Sequence, residues 1–458
     1  MFHAQALRWI VLGFVLIGAS TSSAADDKAV APWMLKENPE IYPLKKVKAG
    51  QVAHGISVFA SRKGPEGFKA EILGVVEKFF GSAGDLIIAR LYDGPVDKTG
   101  VVAGMSGSPV FMDNKLVGAV GYRFGAFTKD AIAGITPFEQ MLETFDKTDA
   151  RLFQGTTQSE TAWGKAAPLA SPIIFSGLVP EVKNAFAEKL ASRGYGELIP
   201  ALSAGAGTLA SVNNVSSFFP GGPIATTLVD GDMKMAGIGT VTWVHGDKFL
   251  AFGHPFMGLG ETNIPVSYAR IVTTVASDAG SWKLGRPVKP AGTLTHDRIF
   301  AIGGQTGLKP QTVPLAVTLQ GIGFGLSGKK QTFKYDIANH PTDVPLFAAI
   351  VSANTMESRN IKANGGTLRV TGALKLSNGR TVAINETVVR HRTSLAMPAA
   401  FSVLQQMQDI LNIELAEVSL AGVALRMHHS VDLSIEELVG LRWNGAIHAG
   451  DRIKVWIQ

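Results

Sequence analysis

The 458-residue chain contains no cysteine. That excludes a thiol nucleophile, cysteine metal ligands and disulfides, so stability has to come from buried apolar cores. Blocks of like charge are missing too: the formal net charge of +6 is spread along the chain, the densest basic group being Lys45, Lys46 and Lys48. A nucleic-acid footprint needs basic side chains gathered on one face with aromatics among them, and no such pattern occurs; the three lysines read as a solvated segment ahead of the first domain. There is no His-Glu-x-x-His pair on which to build a zinc site and no G-x-x-x-x-G-K-[ST] phosphate loop. The glycine-rich run Gly321-Ile322-Gly323-Phe324-Gly325 misses the spacing of a dinucleotide turn and reads as a turn. Neither a metal nor a cofactor is expected. No fixed-period repeat is present.

What is present begins with the N-terminus. His3 and Arg8 precede an apolar stretch over residues 9–18, small residues lead to Ala24, and Asp26, Asp27 and Lys28 follow. This is the pattern of a secretory signal peptide over residues 1–24, its apolar core falling short of the ~20 residues a membrane span needs. A periplasmic or secreted protein is expected, with no integral membrane segment once the signal is cleaved. The remaining chain of about 430 residues exceeds what one hydrophobic core organises, so two or three domains are expected.

Fifty-one glycines and many short Val, Ile, Leu and Thr runs between turns indicate a mainly β protein. Residues 56–60, 70–76, 86–91, 108–112 and 116–122 have strand length and composition, and Asp113-Asn114 supplies a tight turn between the last two. Residues 44–145 are therefore expected to form a small antiparallel barrel or sandwich closed by a helix near 137–145. Residues 146–222 change character: a polar stretch, one amphipathic helix candidate at 179–192 and a Gly, Ser, Ala and Asn-rich passage read as connector. Strand patterns resume over 223–320 and continue through a C-terminal β-rich region, 321–458, with a helix expected at 398–411. There His428 and His429 are neighbours on a strand, so they face opposite sides and do not readily share a site.

One run carries chemistry on its own: Gly104-Met105-Ser106-Gly107-Ser108-Pro109. A serine becomes a nucleophile when its hydroxyl is held exposed on a tight turn and neighbouring N–H groups converge on the developing oxyanion. Glycines on both sides permit that approach, and small Ser108 leaves room for substrate. The expected oxyanion hole is the N–H of Ser106 with that of Gly104, as in chymotrypsin-like enzymes, whose nucleophile turn has the same pattern.

The likeness extends beyond the turn. "DKTGVVAGMSGSPVFMDNKLVGAV" at 97–120 and "AGITPFEQML" at 133–142 resemble the serine-bearing half of the SpoIVB peptidase family, and "GIGTVTWVHGDKFLAFGHPF" at 237–256, onward to about Leu319, resembles its histidine-bearing half. The resemblance implies two chymotrypsin-like β halves and a Ser-His-Asp endopeptidase acting on protein or peptide, with self-cleavage as a family habit; the polar stretch at 154–161 is where such a cut would be sought. It implies His254, in Gly253-His254-Pro255, as the base, and an acid at the strand end, Asp93, with Asp97 as a substitute; Asp85, at the start of the strand, reads as a turn cap. An imidazole's ordinary pKa near ~6.5 suits proton abstraction around neutrality. Two departures stand out: in the family the histidine half precedes the serine half, and the family's PDZ domain has no counterpart here. His54 is the competing base because His54, Asp93 and Ser106 would keep the conventional order, although its flanks do not match the histidine motif. His296, followed by Asp297, reads as structural or substrate-adjacent. The expected function is an exported serine endopeptidase; the alternative is a catalytically inactive protein of the same fold that binds or scaffolds in the envelope.

Overall fold

The computed structural model describes residues 30–81, 84–125, 129–146, 159–161, 164–201, 216–321, 324–326, 329–359, 365–391, 393–412, 418–433, 441–443 and 455–457. Residues 1–24, read above as a signal peptide, most of the 154–161 stretch and Ile322-Gly323 lie outside them.

The first body is a closed antiparallel barrel. Strands β1 (Val52–Ala60), β2 (Gly64–Val76), β3 (Leu86–Tyr92), β4 (Pro109–Met112), β5 (Lys115–Phe124) and β6 (Ala131–Pro137) pair in the ring β1-β2-β3-β6-β5-β4, and β4 returns to β1. β3 shows why the sequence folds this way. Its near-continuous apolar run serves two surfaces: Ile87, Ala89 and Leu91 fill the barrel while Leu86 and Ile88 join an outer cluster with Phe79, Tyr122 and Phe124. Asp113 and Asn114, at φ of 48° and 60°, make the left-handed pair that a two-residue hairpin requires between β4 and β5. A short helix, α1 (Val96–Thr99), follows β3, and α2 (Phe138–Leu142) closes the barrel where a helix was expected. β7 (Ser159–Thr161) and β8 (Gly164–Pro168) extend the sheet from β5.

The second body repeats the plan. β9 (Ile173–Ser176) and β10 (Leu198–Pro200), with α3 (Pro180–Ala191) between them, lead into β11 (Pro223–Gly231), β12 (Lys234–His245), β13 (Lys248–Ala251), β14 (Gly260–Val275), β15 (Trp282–Arg298) and β16 (Ala301–Thr306). Pairings β12-β13-β16-β15-β14-β11, with β11 returning to β12, close a second antiparallel ring. Part of the passage read as connector thus supplies strands and a helix to this sheet. The far end of β11 leaves the ring to pair with β18 (Lys330–Ala338), so the barrel runs into a C-terminal sheet with β17 (Thr312–Gly321), β19 (Gly365–Leu376), β20 (Thr381–His391) and β21 (Leu420–Ser430). β22 (Leu441–Trp443) and β23 (Val455–Ile457) pair separately. On β21, His429 is buried and His428 exposed, as the two-residue period dictates.

Two helices cover the C-terminal sheet: α4 (Val344–Glu357) and α5 (Ala396–Leu411). α5 is amphipathic and was expected. α4 was not, because every residue from Val344 to Met356 is buried and its apolar side chains run all round, leaving no period to detect. Among the described residues no helix is long and apolar enough to cross a membrane.

The barrels share an apolar core. Ile56, Phe111, Leu116 and Phe138 of the first pack with Trp243, Leu250 and Phe300 of the second, and Val58 inserts among Ile238, Ala269 and Ile271. Hydrogen bonds stitch the seam: Ser61 N donates to Ile271 O at 2.8 Å, and Thr274 Oγ1 donates to Phe59 O at 2.8 Å. The serine turn lies in this seam.

Candidate active site

The turn at 102–108 is held from outside its own barrel. Ser106 O accepts from Thr240 N at 2.9 Å, Gly104 O from Thr240 Oγ1 at 2.9 Å, Gly107 O from Thr242 Oγ1 at 2.7 Å, and Ala103 O from Lys283 N at 2.9 Å. Met105 O accepts from within the turn, from Ser108 N at 2.9 Å and Ser108 Oγ at 2.6 Å. Every carbonyl from Ala103 to Gly107 is therefore occupied. The amides divide differently: those of Ala103, Met105, Gly107 and Ser108 donate to backbone oxygens, while those of Gly104 and Ser106 have no backbone acceptor among the described residues. These are the two N–H groups expected to form the oxyanion hole.

Gly107 explains how the seam closes so tightly. At φ +96° its absent Cβ would lie 1.9 Å from Thr240 O and 2.5 Å from Phe252 N, so only glycine lets β12 and the histidine-bearing turn approach. On the other side of that approach, Phe252 and Gly253 both take positive φ, 71° and 67°, and Gly253 N donates to Ala251 O at 2.9 Å. A bulky residue in that region is costly and persists only where its surroundings enforce it. Here Thr136 Oγ1 of the first barrel donates to Gly253 O at 2.5 Å and holds the turn down. The serine and histidine motifs, far apart in sequence, thus pack backbone to backbone.

Burial departs from expectation. The serine hydroxyl was expected to be held exposed; Ser106 is 0% and His254 3% exposed, because β12 and the 252–254 turn cover the seam. Ser106 Oγ and His254 Nε2 are both buried without a hydrogen-bond partner, so they do not bond to each other in this arrangement. His254 Nδ1–H donates to Pro255 O at 2.6 Å, a tautomer that leaves the Nε2 lone pair free. Phe252 and Tyr122 flank the ring at 5.7 and 6.3 Å between centroids. Burial brings the imidazole down to about 4, with the Pro255 and Leu169 carbonyls opposing that fall, so the ring is neutral at pH 7.

The other candidates lie elsewhere. Asp93, at φ +65°, accepts from Gly94 N at 2.8 Å and pairs with Lys69 at 3.5 Å, while Asp97 accepts from Asp93 N at 2.8 Å. No carboxylate among the described residues is joined to His254, whose Nδ1 has the Pro255 carbonyl where the acid was expected. Asp85 does cap a turn, accepting from Lys78 N at 2.8 Å. His54 is paired opposite Lys69 and Phe111 in β1, and the two-residue period puts it on the face opposite Ser57, the β1 residue that reaches the serine turn. His296 sits against Phe145 at 5.5 Å, partly buried.

Two residues gain roles that the sequence did not assign. Asp297, buried on β15, accepts from Phe256 N at 2.7 Å, Met257 N at 2.7 Å and Leu259 N at 3.2 Å, pinning the loop after His254. Burial pushes its carboxyl up, the backbone donors pulling the other way. Lys283, also on β15 and 0% exposed, donates through Nζ to Ser57 Oγ at 2.7 Å and to Thr240 Oγ1 at 3.0 Å. Burial brings its amine down to about 7. A lone lysine in a strand run carries no sequence signal of such a role; Asp297 offered only its place in a His-Asp-Arg run.

Beside the turn lies an open cleft of about 550 Å³, lined by Tyr92, Asp97, Val101, Arg123, Asp278 and Ser281 among others. Ser281 O accepts from Ala103 N at 2.8 Å, so the cleft wall and the serine turn are continuous.

Residues 24–142 match the family model of the SpoIVB peptidase S55. The match takes in the whole first barrel and Ser106, and it ends before the second barrel and His254. No curated protein and no solved structure matches the chain. This match supports a peptidase function.

Proposed function

We propose that the protein is an exported serine endopeptidase in which Ser106 is the nucleophile and His254 the base. The observation that carries the reading is the serine turn: its carbonyls are all engaged while the N–H groups of Gly104 and Ser106 are left for an oxyanion. The chemistry follows in order. Ser106 O–H gives its proton to His254 Nε2 as the oxygen attacks the scissile carbonyl, and the two amides take up the negative charge that forms. The imidazolium then protonates the leaving amine, and water hydrolyses the acyl-enzyme by the reverse steps. Pro255 O fills the orienting place usually held by a carboxylate, so Asp93 is not needed for the tautomer. Substrate approaches from the cleft lined by Val101 and Ser281, and reaction requires the seam over Ser106 to loosen. Export rests on the signal-like N-terminus.

The second reading, a catalytically inactive envelope binding or scaffold protein, is favoured by one observation: Ser106 and His254 are sealed from solvent and unbonded to each other. A fluorophosphonate probe separates the two. The wild type is expected to take one label at neutral pH and Ser106→Ala none; a folded wild type that stays unlabelled decides for the inactive protein.

A further inference from the structure

Lys283 belongs to the second barrel, yet it touches the serine turn with both its backbone and its side chain. Its main-chain N–H donates to Ala103 O at 2.9 Å. A trans peptide is planar, with C=O and N–H pointing in opposite directions, and no cis bond occurs among the described residues. Fixing Ala103 O therefore fixes the direction of Gly104 N–H, the first oxyanion donor.

The side chain acts on the second donor. Ser108 Oγ lies 2.6 Å from Met105 O and 2.8 Å from Ser57 Oγ, and its one proton can serve only one of them. A carbonyl cannot donate, so Ser108 gives its proton to Met105 O and receives one from Ser57. Ser57 in turn accepts from Lys283 Nζ at 2.7 Å. The chain Lys283 to Ser57 to Ser108 to Met105 O has one direction throughout, and Met105 C=O shares its peptide plane with Ser106 N–H. A second arm runs the same way: Lys283 Nζ to Thr240 Oγ1 at 3.0 Å, and Thr240 Oγ1 to Gly104 O at 2.9 Å.

The amine suits this task because it only donates. As an ammonium it carries three N–H groups and no acceptor: two meet the Ser57 and Thr240 hydroxyls, and the Phe59 ring centroid lies 5.7 Å away. A donor-only group at the head of two hydroxyl chains commits each hydroxyl proton toward the turn.

We propose that Lys283 is the positioning residue of the oxyanion hole: its backbone aims Gly104 N–H and its amine, through Ser57 and Ser108, aims Ser106 N–H. The inference rests on the peptidase reading above. It also makes the hole a property of the docked pair of barrels, since the first barrel alone supplies the two donors but not the group that orients them.

The test uses the full-length protein and a fluorophosphonate, whose phosphoryl oxygen occupies the oxyanion hole in the adduct. Lys283→Met keeps the backbone bond and removes the amine; Ser57→Ala interrupts the same chain one link on and guards against a misfolded methionine variant. Both are expected to lower the maximal phosphonylation rate at least tenfold with the probe's half-saturating concentration unchanged, the double variant to be no slower than Lys283→Met, and the ³¹P resonance of the Ser106 adduct to shift in each. Folded variants that react at the wild-type rate with an unshifted resonance overturn the inference. A wild type that takes no label overturns the peptidase reading instead, before the variants are compared.

Discussion

Replacing Asp297 with asparagine tests whether the loop after His254 is held for catalysis. Asp297 Oδ1 accepts from Phe256 N, and Oδ2 accepts from Met257 N and Leu259 N. The asparagine amide retains one oxygen. Turned to keep the two bonds at Oδ2, it sets its NH₂ against Phe256 N–H, donor facing donor. One buried N–H left unsatisfied costs about 1–3 kcal/mol, and the repulsion of apposed donors brings the total to roughly 2–4 kcal/mol. For a unit the size of the second barrel and its sheet, that lowers the melting temperature by roughly 5–10 °C. The freed residue is the one after Pro255, whose carbonyl holds His254 Nδ1–H at 2.6 Å, so the imidazole loses its orientation as well. Fluorophosphonate labelling should slow by about tenfold to a hundredfold, part of the ~10²–10⁴ that a well-placed base supplies. Scanning fluorimetry and labelling rates at pH 7.5 make the measurement. An Asp297→Asn protein that melts and labels like the wild type refutes the anchoring argument; one that melts lower but labels normally refutes its link to His254.

Three further outcomes follow from the same geometry. Ser106→Ala removes a buried hydroxyl that has no partner, so thermal unfolding should be unchanged or slightly later while labelling disappears; a loss of more than about 2 kcal/mol in denaturant titration would reveal a partner the structure lacks. His254 takes up its proton at about 4 when folded and near 6.5 when unfolded, so the unfolded state gains the proton first as pH falls and stability drops between those values by about 3 kcal/mol. Denaturant titrations from pH 7 to 4 should show His254→Gln losing less stability than the wild type, and parallel curves would contradict the burial of the ring. Gly107→Ala, whose Cβ would lie 1.9 Å from Thr240 O, should destabilise by about 3 kcal/mol or more and abolish labelling, whereas Gly64→Ala, also at positive φ but with nothing within 4 Å, should cost only about 1 kcal/mol and label normally; equal behaviour of the two, read by fluorimetry and labelling, would mean the seam is not tight.

The parts governed by short-range rules were legible in the residues alone. Alternating and apolar runs specified strands such as β3, β5 and β12, Asp113-Asn114 specified a hairpin turn, and the glycines around Ser106 specified a turn that frees two amides. Helix α4 escaped because a helix buried all round has no amphipathic period. The absent cysteines and the spread charge ruled out whole classes of chemistry without any structure. What the serine meets was settled by the docking of the two barrels. Whether His254 or His54 lies near the turn depends on how two closed barrels dock, and that contact has no local signature. The same holds for Pro255 O standing at His254 where a carboxylate was expected, and for Asp93 pairing with Lys69 instead. Lys283 is the clearest case: in the sequence it is one lysine in a strand, and its burial at the head of two hydroxyl chains exists only because its side chain reaches Ser57 of the other barrel. Hydrogen-bond direction is a property of that assembled network, and no residue in it carries the information alone.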